Sequence, residues 1–278
     1  MRAMAMDWTN ALQCPRCHAG GLTIHAPSDG ELLPERGEAI CNQCGSRFPV
    51  RAHVLDVTQR NDSGLLTLAG LSNYLPFLPW GYEHIRRPRS LTTLSGENFP
   101  VEREIKLLHD WLAVQPRELV IDLGSSTDLY ARALGRRIAD ATVIAIDMSN
   151  GMLKAGRAYA RRERVKNTAH VRAPAQRLPF ADGSIDALVC GGSFNEFRSM
   201  GEALREARRV CKPGGRLFAM SLLRATSLGG QFGQRNARLA GISFPTLDGF
   251  NATTQSTGWS CERQQVFGLV AFTLMIAR

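Results

Sequence analysis

The 278-residue chain lacks any long hydrophobic run. Its longest apolar stretch, from Gly268 to Ala277, has the length of a β-strand and falls short of the ~20 residues that a membrane-spanning helix needs. The N-terminal residues also lack the apolar segment of a secretory signal peptide, and Asp7 interrupts them early. From these absences we expect a cytoplasmic protein with no membrane contact.

Lysine is scarce too, because only 4 of the 34 basic residues are Lys and the rest are Arg. Against 25 acidic residues the formal net charge is still +9. Such a charge permits an anionic partner such as RNA but does not demand one. The hydrophobic fraction of 44% excludes a disordered chain and is typical of a folded globular protein.

The seven cysteines are an odd number, and four of them form two C-x-x-C pairs. Cys14 and Cys17 make the first pair, and Cys41 and Cys44 make the second after 23 intervening residues. Each short turn offers two thiolates, and two turns complete the tetrahedral shell of a structural Zn²⁺. We therefore predict a zinc site made of these four cysteines, with unmetallated or redox-active thiols as the alternative.

The pattern of residue types changes along the chain. From Val101 onward, short apolar runs alternate with amphipathic stretches, which predicts βαβ units and a parallel sheet. Two apolar runs joined at Phe267–Gly268 predict an antiparallel strand at one edge. We divide the chain into a zinc-binding module (1–58), a connector or lid rich in proline and aromatic residues (59–100), and an α/β domain (101–278).

Motifs of a nucleotide-binding sheet follow one another in the α/β domain. They are an apolar strand with a glycine turn, Leu119-Val-Ile-Asp-Leu-Gly-Ser-Ser; a strand that ends in Asp147; the run LPFADGSID at 178–186; and RVCKPGG at 209–215. An acidic residue at the tip of the second strand can accept both ribose hydroxyls of a nucleoside. In this order the motifs resemble the UbiE-like group of class I S-adenosylmethionine (SAM)-dependent methyltransferases.

This resemblance implies a Rossmann-like, doubly wound, mostly parallel sheet with SAM as cofactor. Asp147 would then hold the ribose, Met148 would pack on the adenine, and Gly124 would let the backbone approach the methionine half. The adenine end would be lined by 175–176. The implied cofactor-binding residues are Asp122, Gly124, Ser126, Asp128, Asp147, Met148, Ala175 and Gln176.

Two departures from the family pattern affect this site. Ser126 and Asp128 occupy positions where the family has glycines, and a side chain there crowds the ligand or strains the backbone. The Asp128 charge is unfavourable if it faces the methionine carboxylate and favourable if it faces the amino group or sulfonium. Farther along, Ala-Pro-Ala at 173–175 replaces the usual Gly-Asp-Ala.

Residues 48–56, after the second cysteine pair, resemble the end of the small zinc-ribbon proteins that activate methyltransferases. Such modules are fused or bound to methyltransferases. A closed shell of four thiolates leaves no open position for catalysis, so we interpret the module as a folding element.

Polar residues on the acceptor side follow the fourth strand of the domain. Glu196 is a candidate general base, with helix capping as the alternative, and Asn195 is a candidate for orienting the acceptor. In the connector, His84 is a further candidate to touch substrate or act as base.

Three functions fit these observations. The first is a methyltransferase for a small-molecule acceptor. The second is an RNA methyltransferase, because a four-cysteine module before a SAM fold resembles the ribosomal RNA guanine-N1 methyltransferases. The third is a protein that keeps the fold with an altered SAM site and carries out another reaction or only binds. The oligomeric state does not follow from the sequence.

Overall fold

The computed structural model describes residues 8–26, 30–65 and 87–278. Eleven strands lie in these ranges: β1 (Leu22–His25), β2 (Arg36–Cys41), β3 (Arg47–Arg51), β4 (Val54–Asp56), β5 (Leu119–Leu123), β6 (Thr142–Asp147), β7 (Thr168–Arg172), β8 (Ile185–Gly191), β9 (Cys211–Leu222), β10 (Trp259–Phe267) and β11 (Val270–Ala277). The helices are α1 (Arg87–Ser95), α2 (Val101–Leu112), α3 (Leu129–Arg137), α4 (Asn150–Arg162), α5 (Met200–Val210), α6 (Leu228–Leu239) and α7 (Leu247–Ser256).

All eleven strands belong to one sheet in the order β1-β2-β3-β4-β7-β6-β5-β8-β9-β11-β10. The six neighbours from β4 to β9 pair in parallel. Strand β11 runs antiparallel to β9, and β10 forms the edge antiparallel to β11. The predicted α/β fold is therefore confirmed, with the antiparallel strand β11 one place in from the edge.

The N-terminal strands β1 to β4 continue the same sheet. Strand β4 pairs in parallel with β7, so that Val54 lies opposite His170 and Asp56 opposite Arg172. One hydrophobic cluster includes Phe48 of this region together with Phe180 of the α/β region. The cysteine-containing segment that we delimit at residue 58 is therefore part of the same sheet as the α/β region.

The central strands are buried because helices cover the sheet. Every residue of β5 is buried, as a parallel strand with both faces covered requires. Two of the covering helices begin at serines that cap them: Ser149 accepts a hydrogen bond from the Met152 amide at the start of α4, and Ser199 does the same for Glu202 at the start of α5.

The chain order reverses between β5 and β8. Strands β5, β6 and β7 succeed one another in one direction across the sheet, whereas β8 and β9 lie on the other side of β5. In open α/β sheets this reversal opens a crevice at the carboxyl ends of the strands, where ligands bind. The carboxyl ends of β5, β6 and β8 therefore define the place to examine for function.

Among the described residues, no helix has the length and hydropathy needed to cross a bilayer.

Candidate cofactor crevice and cysteine cluster

The turn after β5 has an unusual backbone. Gly124, Ser126 and Asp128 all have positive φ, at 68°, 53° and 63°. Glycine adopts this conformation freely, whereas side chains resist it. A Cβ on Gly124 would also lie 2.4 Å from the Ser193 Cβ, so that glycine is required by packing as well as by conformation.

Asp147 lies at the carboxyl end of β6 with both carboxylate oxygens engaged by the backbone. One oxygen accepts from the Ser126 amide at 2.9 Å, and the other accepts from the Ser149 amide at 2.7 Å. The pKa of Asp147 is raised to about 6, mainly by burial and to a smaller extent by the charges of Glu196 and Asp128, against the lowering effect of the two amides. Asp147 is half-buried, and its remaining carboxylate lone pairs can accept hydrogen bonds from hydroxyl groups.

Asp122 and Asp128 face the protein interior. The buried Asp122 carboxylate accepts from the Ala131 amide at 2.9 Å and so holds the first turn of α3. The Asp128 carboxylate is fully buried and lies 2.6 Å from Nε2 of His170 on β7. The Asp128 side chain, which we expected near the methionine half of the cofactor, is thus directed at His170.

Asn195 is a structural residue in this fold. Its buried amide group donates to the carbonyl oxygens of Leu222 and Ser243 at 2.8 and 2.7 Å, and it accepts from the Leu222 amide at 2.8 Å. With these bonds the side chain ties the end of β9 to the segment after α6. The amide that we predicted to orient the acceptor is thus engaged with the backbone, and its role toward an acceptor stays a prediction.

Glu196 directly follows and is half-buried. Its charge contributes to the raised pKa of Asp147, which places the two carboxylates within electrostatic range of each other. His84, the other candidate base, lies outside the described residues. The structure thus places Asp147 at the end of β6 and Glu196 after β8, on either side of β5.

Of the three residues expected to line the adenine, Ala175 is buried, whereas Met148 and Gln176 are half-buried. Here the structure adds residues that the sequence did not identify. Arg172 donates from Nε to the Met148 carbonyl oxygen at 2.8 Å, and its guanidinium pairs with Asp56 of β4 at 2.8 Å.

A second ion pair links the start of the connector to the α/β domain. The buried Asp62 carboxylate accepts from Arg177, the residue after Gln176, at 2.5 and 2.6 Å. These pairs join residues 115 and 116 positions apart, and no local sequence signal reveals such a partnership.

The four cysteines of the N-terminal pairs converge on one point. All four Sγ atoms lie within 4.8 Å of one another. The Cys14 and Cys44 sulfurs are 3.8 Å apart, and those of Cys17 and Cys41 are 3.6 Å apart. Thiolates bound tetrahedrally to Zn²⁺ at about 2.3 Å have separations of about 3.8 Å, so the donor set fits this ion.

Local hydrogen bonds prepare two of these thiols to ionise. The Ser46 hydroxyl is the main cause that lowers the pKa of Cys44 to about 6, and the Ala19 amide is the main cause that lowers the pKa of Cys17. Burial raises the pKa of Cys14 to about 12. The backbone amides of Gln43 and Cys44 point at the Cys41 sulfur at 3.4 Å, an arrangement that stabilises a thiolate.

The sheet and its switch point form a Rossmann-like α/β fold. Residues 121–219 match the family model described as a methyltransferase domain. This match confirms the resemblance that the motifs indicated, at the level of a domain within the chain.

Individual relatives agree with the domain match. An uncharacterized chloroplastic methyltransferase of Arabidopsis thaliana is 27% identical over 79% of this chain and 64% of its own length. The ubiquinone/menaquinone biosynthesis C-methyltransferase UbiE of Legionella pneumophila is 36% identical over 38% of this chain and 44% of its own length. The chain thus spans less than two thirds of each of these relatives.

The crystal structure of the cyclase SpnF shares the fold, with a TM-score of 0.58 and 14% identity over 72% of this chain and 94% of that one.

Proposed function

We propose that the chain is a SAM-dependent methyltransferase that acts on a small-molecule acceptor. The observation that carries this proposal is Asp147, whose half-buried carboxylate is fixed by two backbone amides at the switch point of a methyltransferase domain. A carboxylate in this position suits the two hydroxyls of a ribose. The name of UbiE, a C-methyltransferase of quinone biosynthesis, supports a small organic acceptor.

Each part of the proposed cofactor site has its own residues. Asp147 accepts the ribose hydroxyls, and the backbone at Gly124 and Ser126 borders the methionine half. Met148, Ala175 and Gln176 line the adenine side, while Asp122 supports α3 from behind. When bound, SAM supplies an electrophilic methyl group, and the protein contributes mainly by positioning the acceptor against it.

Glu196 is the residue that we assign as proton acceptor. It follows β8 at the crevice, and its charge acts on Asp147. A carboxylate at this place can take a proton from an acceptor oxygen, nitrogen or carbon as the methyl group is transferred. His84 remains a second candidate for this role.

We also propose that Cys14, Cys17, Cys41 and Cys44 bind one structural Zn²⁺. The separations of the sulfurs fit a closed tetrahedral shell, which leaves no position for substrate. The metal would stabilise the β1–β4 region, whose last strand pairs with β7. Free thiols elsewhere, at Cys190, Cys211 and Cys261, agree with a reducing compartment such as the cytoplasm.

RNA methylation is the second candidate function. A hollow of about 520 Å³ beside the cysteine cluster is lined in part by Arg16, Arg47 and Arg60. Guanidinium groups bind phosphates well, so this surface would suit a nucleic-acid backbone. The third hypothesis, a non-methylating member, is supported by Ser126 and by the cyclase SpnF, but it is weakened because Asp128 turns away from the crevice.

A transfer assay tests the proposal and separates these candidates. The protein is incubated with methyl-labelled SAM and either a panel of phenolic, quinol and carboxylate acceptors or ribosomal RNA. We expect the labelled methyl group to appear on a small molecule. The variant E196Q should no longer transfer the methyl group but should still bind SAM. Label on RNA, with retention that falls steeply as salt rises, would instead establish the second candidate. Transfer to neither class would contradict methylation of both kinds.

A further inference from the structure

We infer that Asp128 is a positioning residue: held by His170 and fitted against Gly156, it sets the turn that presents the Ser126 amide to Asp147. This inference rests on the proposed function, because it explains how the SAM site is shaped in a chain that lacks the family's repeated glycines.

The Asp128–His170 pair is buried on both sides. The two side chains are 0% and 3% exposed, and the carboxylate oxygen lies 2.6 Å from the imidazole Nε2. The second Asp128 oxygen is also buried and has no hydrogen-bond partner among the described residues. A carboxylate in such surroundings is costly once its partner is removed, so His170 fixes where Asp128 can point.

Gly156 of α4 completes the arrangement. A Cβ at this position would lie 2.3–2.6 Å from three atoms of the Asp128 carboxyl group. Any larger residue would therefore push the carboxyl group away from His170. Three positions on the turn, on β7 and on α4 thus fit one another.

This arrangement acts on the cofactor site through the backbone of the turn. The Asp128 amide donates to the Ser125 carbonyl oxygen at 2.9 Å, and the Ser126 amide donates to Asp147 at 2.9 Å. Ser126 and Asp128 hold left-handed φ values of 53° and 63°, which glycine adopts without strain. A glycine-rich turn reaches this shape through conformational freedom, whereas here an anchored side chain holds it.

The first test replaces Asp128 with the residue of the family pattern. We expect D128G to bind SAM about tenfold more weakly than the unmodified chain, as measured by calorimetry, although glycine suits the backbone better. If Asp128 is only a tolerated replacement of a glycine, D128G will bind SAM as tightly or more tightly. That result would overturn the inference.

The conservative variant D128N provides a rescue. Asparagine tolerates the left-handed backbone and can accept a hydrogen bond from His170, so D128N should retain SAM affinity within about threefold. An equal loss in D128N and D128G would contradict anchoring by this hydrogen bond. In all variants the KM for the methyl acceptor should stay unchanged, because the turn serves the cofactor.

Gly156 gives a test that does not require SAM. G156A should lower the unfolding midpoint of the cofactor-free protein and speed hydrogen exchange at the Ser126 amide. Both effects should be smaller when G156A is introduced into the D128G variant. The matched control is G151A on the same helix, where the nearest atom to the added Cβ is 3.7 Å away. If the effects of G156A and D128G on stability are additive, the inference is overturned. If the two substitutions are coupled but the unmodified chain binds no SAM, the result counts against the proposed function alone.

Discussion

The cysteine module and the crevice at the carboxyl ends of β5, β6 and β8 share one sheet but obtain their sites by different means. In the module, four cysteine sulfurs converge within 4.8 Å of one another, as the ligands of a metal ion would. At the crevice, the candidate side chains differ in burial. Asp147 is half-buried, whereas Asp122, Asp128 and Asn195 are buried and make hydrogen bonds within the protein.

This difference shows that a sequence motif predicts a site better when its residue type has few structural roles. Cysteine pairs at C-x-x-C spacing serve metals or redox chemistry, and the spacing within each pair already brings two sulfurs together. Aspartate and asparagine also cap helices, brace loops and form ion pairs. Their roles depend on side-chain direction, which the tertiary structure sets.

Loss of the cysteine cluster should produce the largest effect. We expect purified protein to contain about one zinc ion per chain, and C14S should lose it and unfold at a midpoint lower by about 10 °C or more. The reason is that β4 joins the module to β7, so that disorder in the module reaches the central sheet. Metal analysis and thermal unfolding measure both, with C261S, an exposed cysteine outside the cluster, as control. A metal-free C14S protein with unchanged stability would show that the two regions are independent.

Removal of the Asp147 carboxylate should produce the next largest effect, confined to the crevice. D147A loses two charge-assisted hydrogen bonds to the ribose and should bind SAM about 100-fold more weakly, with the zinc content unchanged. Equilibrium titration of SAM measures this loss. Asp110 on α2, an exposed carboxylate paired with Lys106, provides the matched control in D110A. Equal affinities in D147A and D110A would remove Asp147 from the site.

The pH dependence of SAM binding should reflect the same carboxylate. Because burial raises the pKa of Asp147 to about 6, the carboxylate that accepts the ribose hydroxyls is lost as the pH falls through that value. At pH 5 about one tenth of the protein remains ionised at this residue, so the affinity should fall about tenfold relative to pH 8. In D147N the affinity for SAM should no longer change with pH across this range. A profile that keeps its slope in D147N would assign the titration to another group.

The smallest effect should come from the contact between the two regions. Asp56 of β4 pairs with Arg172, which in turn donates to the Met148 carbonyl oxygen beside the proposed adenine site. D56N should weaken SAM binding about threefold, because a partly exposed ion pair contributes little. The control E38Q breaks an exposed pair with Arg47 in the same module and should leave affinity unchanged. Identical affinities in both variants would mean that the module supports the fold without affecting the cofactor.

The sequence predicted the broad features of both regions because these depend on local patterns. Alternating apolar and amphipathic stretches gave the α/β sheet, and the two C-x-x-C pairs gave the cysteine cluster. The pairing of β4 with β7 could not be predicted, since it joins Val54 to His170 across 116 residues of chain and Val54 belongs to a strand of three residues. His170 was overlooked for a similar reason, because its partner Asp128 is 42 residues away.

The account depends most directly on SAM binding at Asp147. Calorimetric titration of the zinc-loaded full chain with SAM, in parallel with D147A, tests this claim. We predict saturable heat with about one SAM per chain for the unmodified protein and almost none for D147A at the same concentrations. The absence of heat with the unmodified chain at millimolar SAM would contradict it.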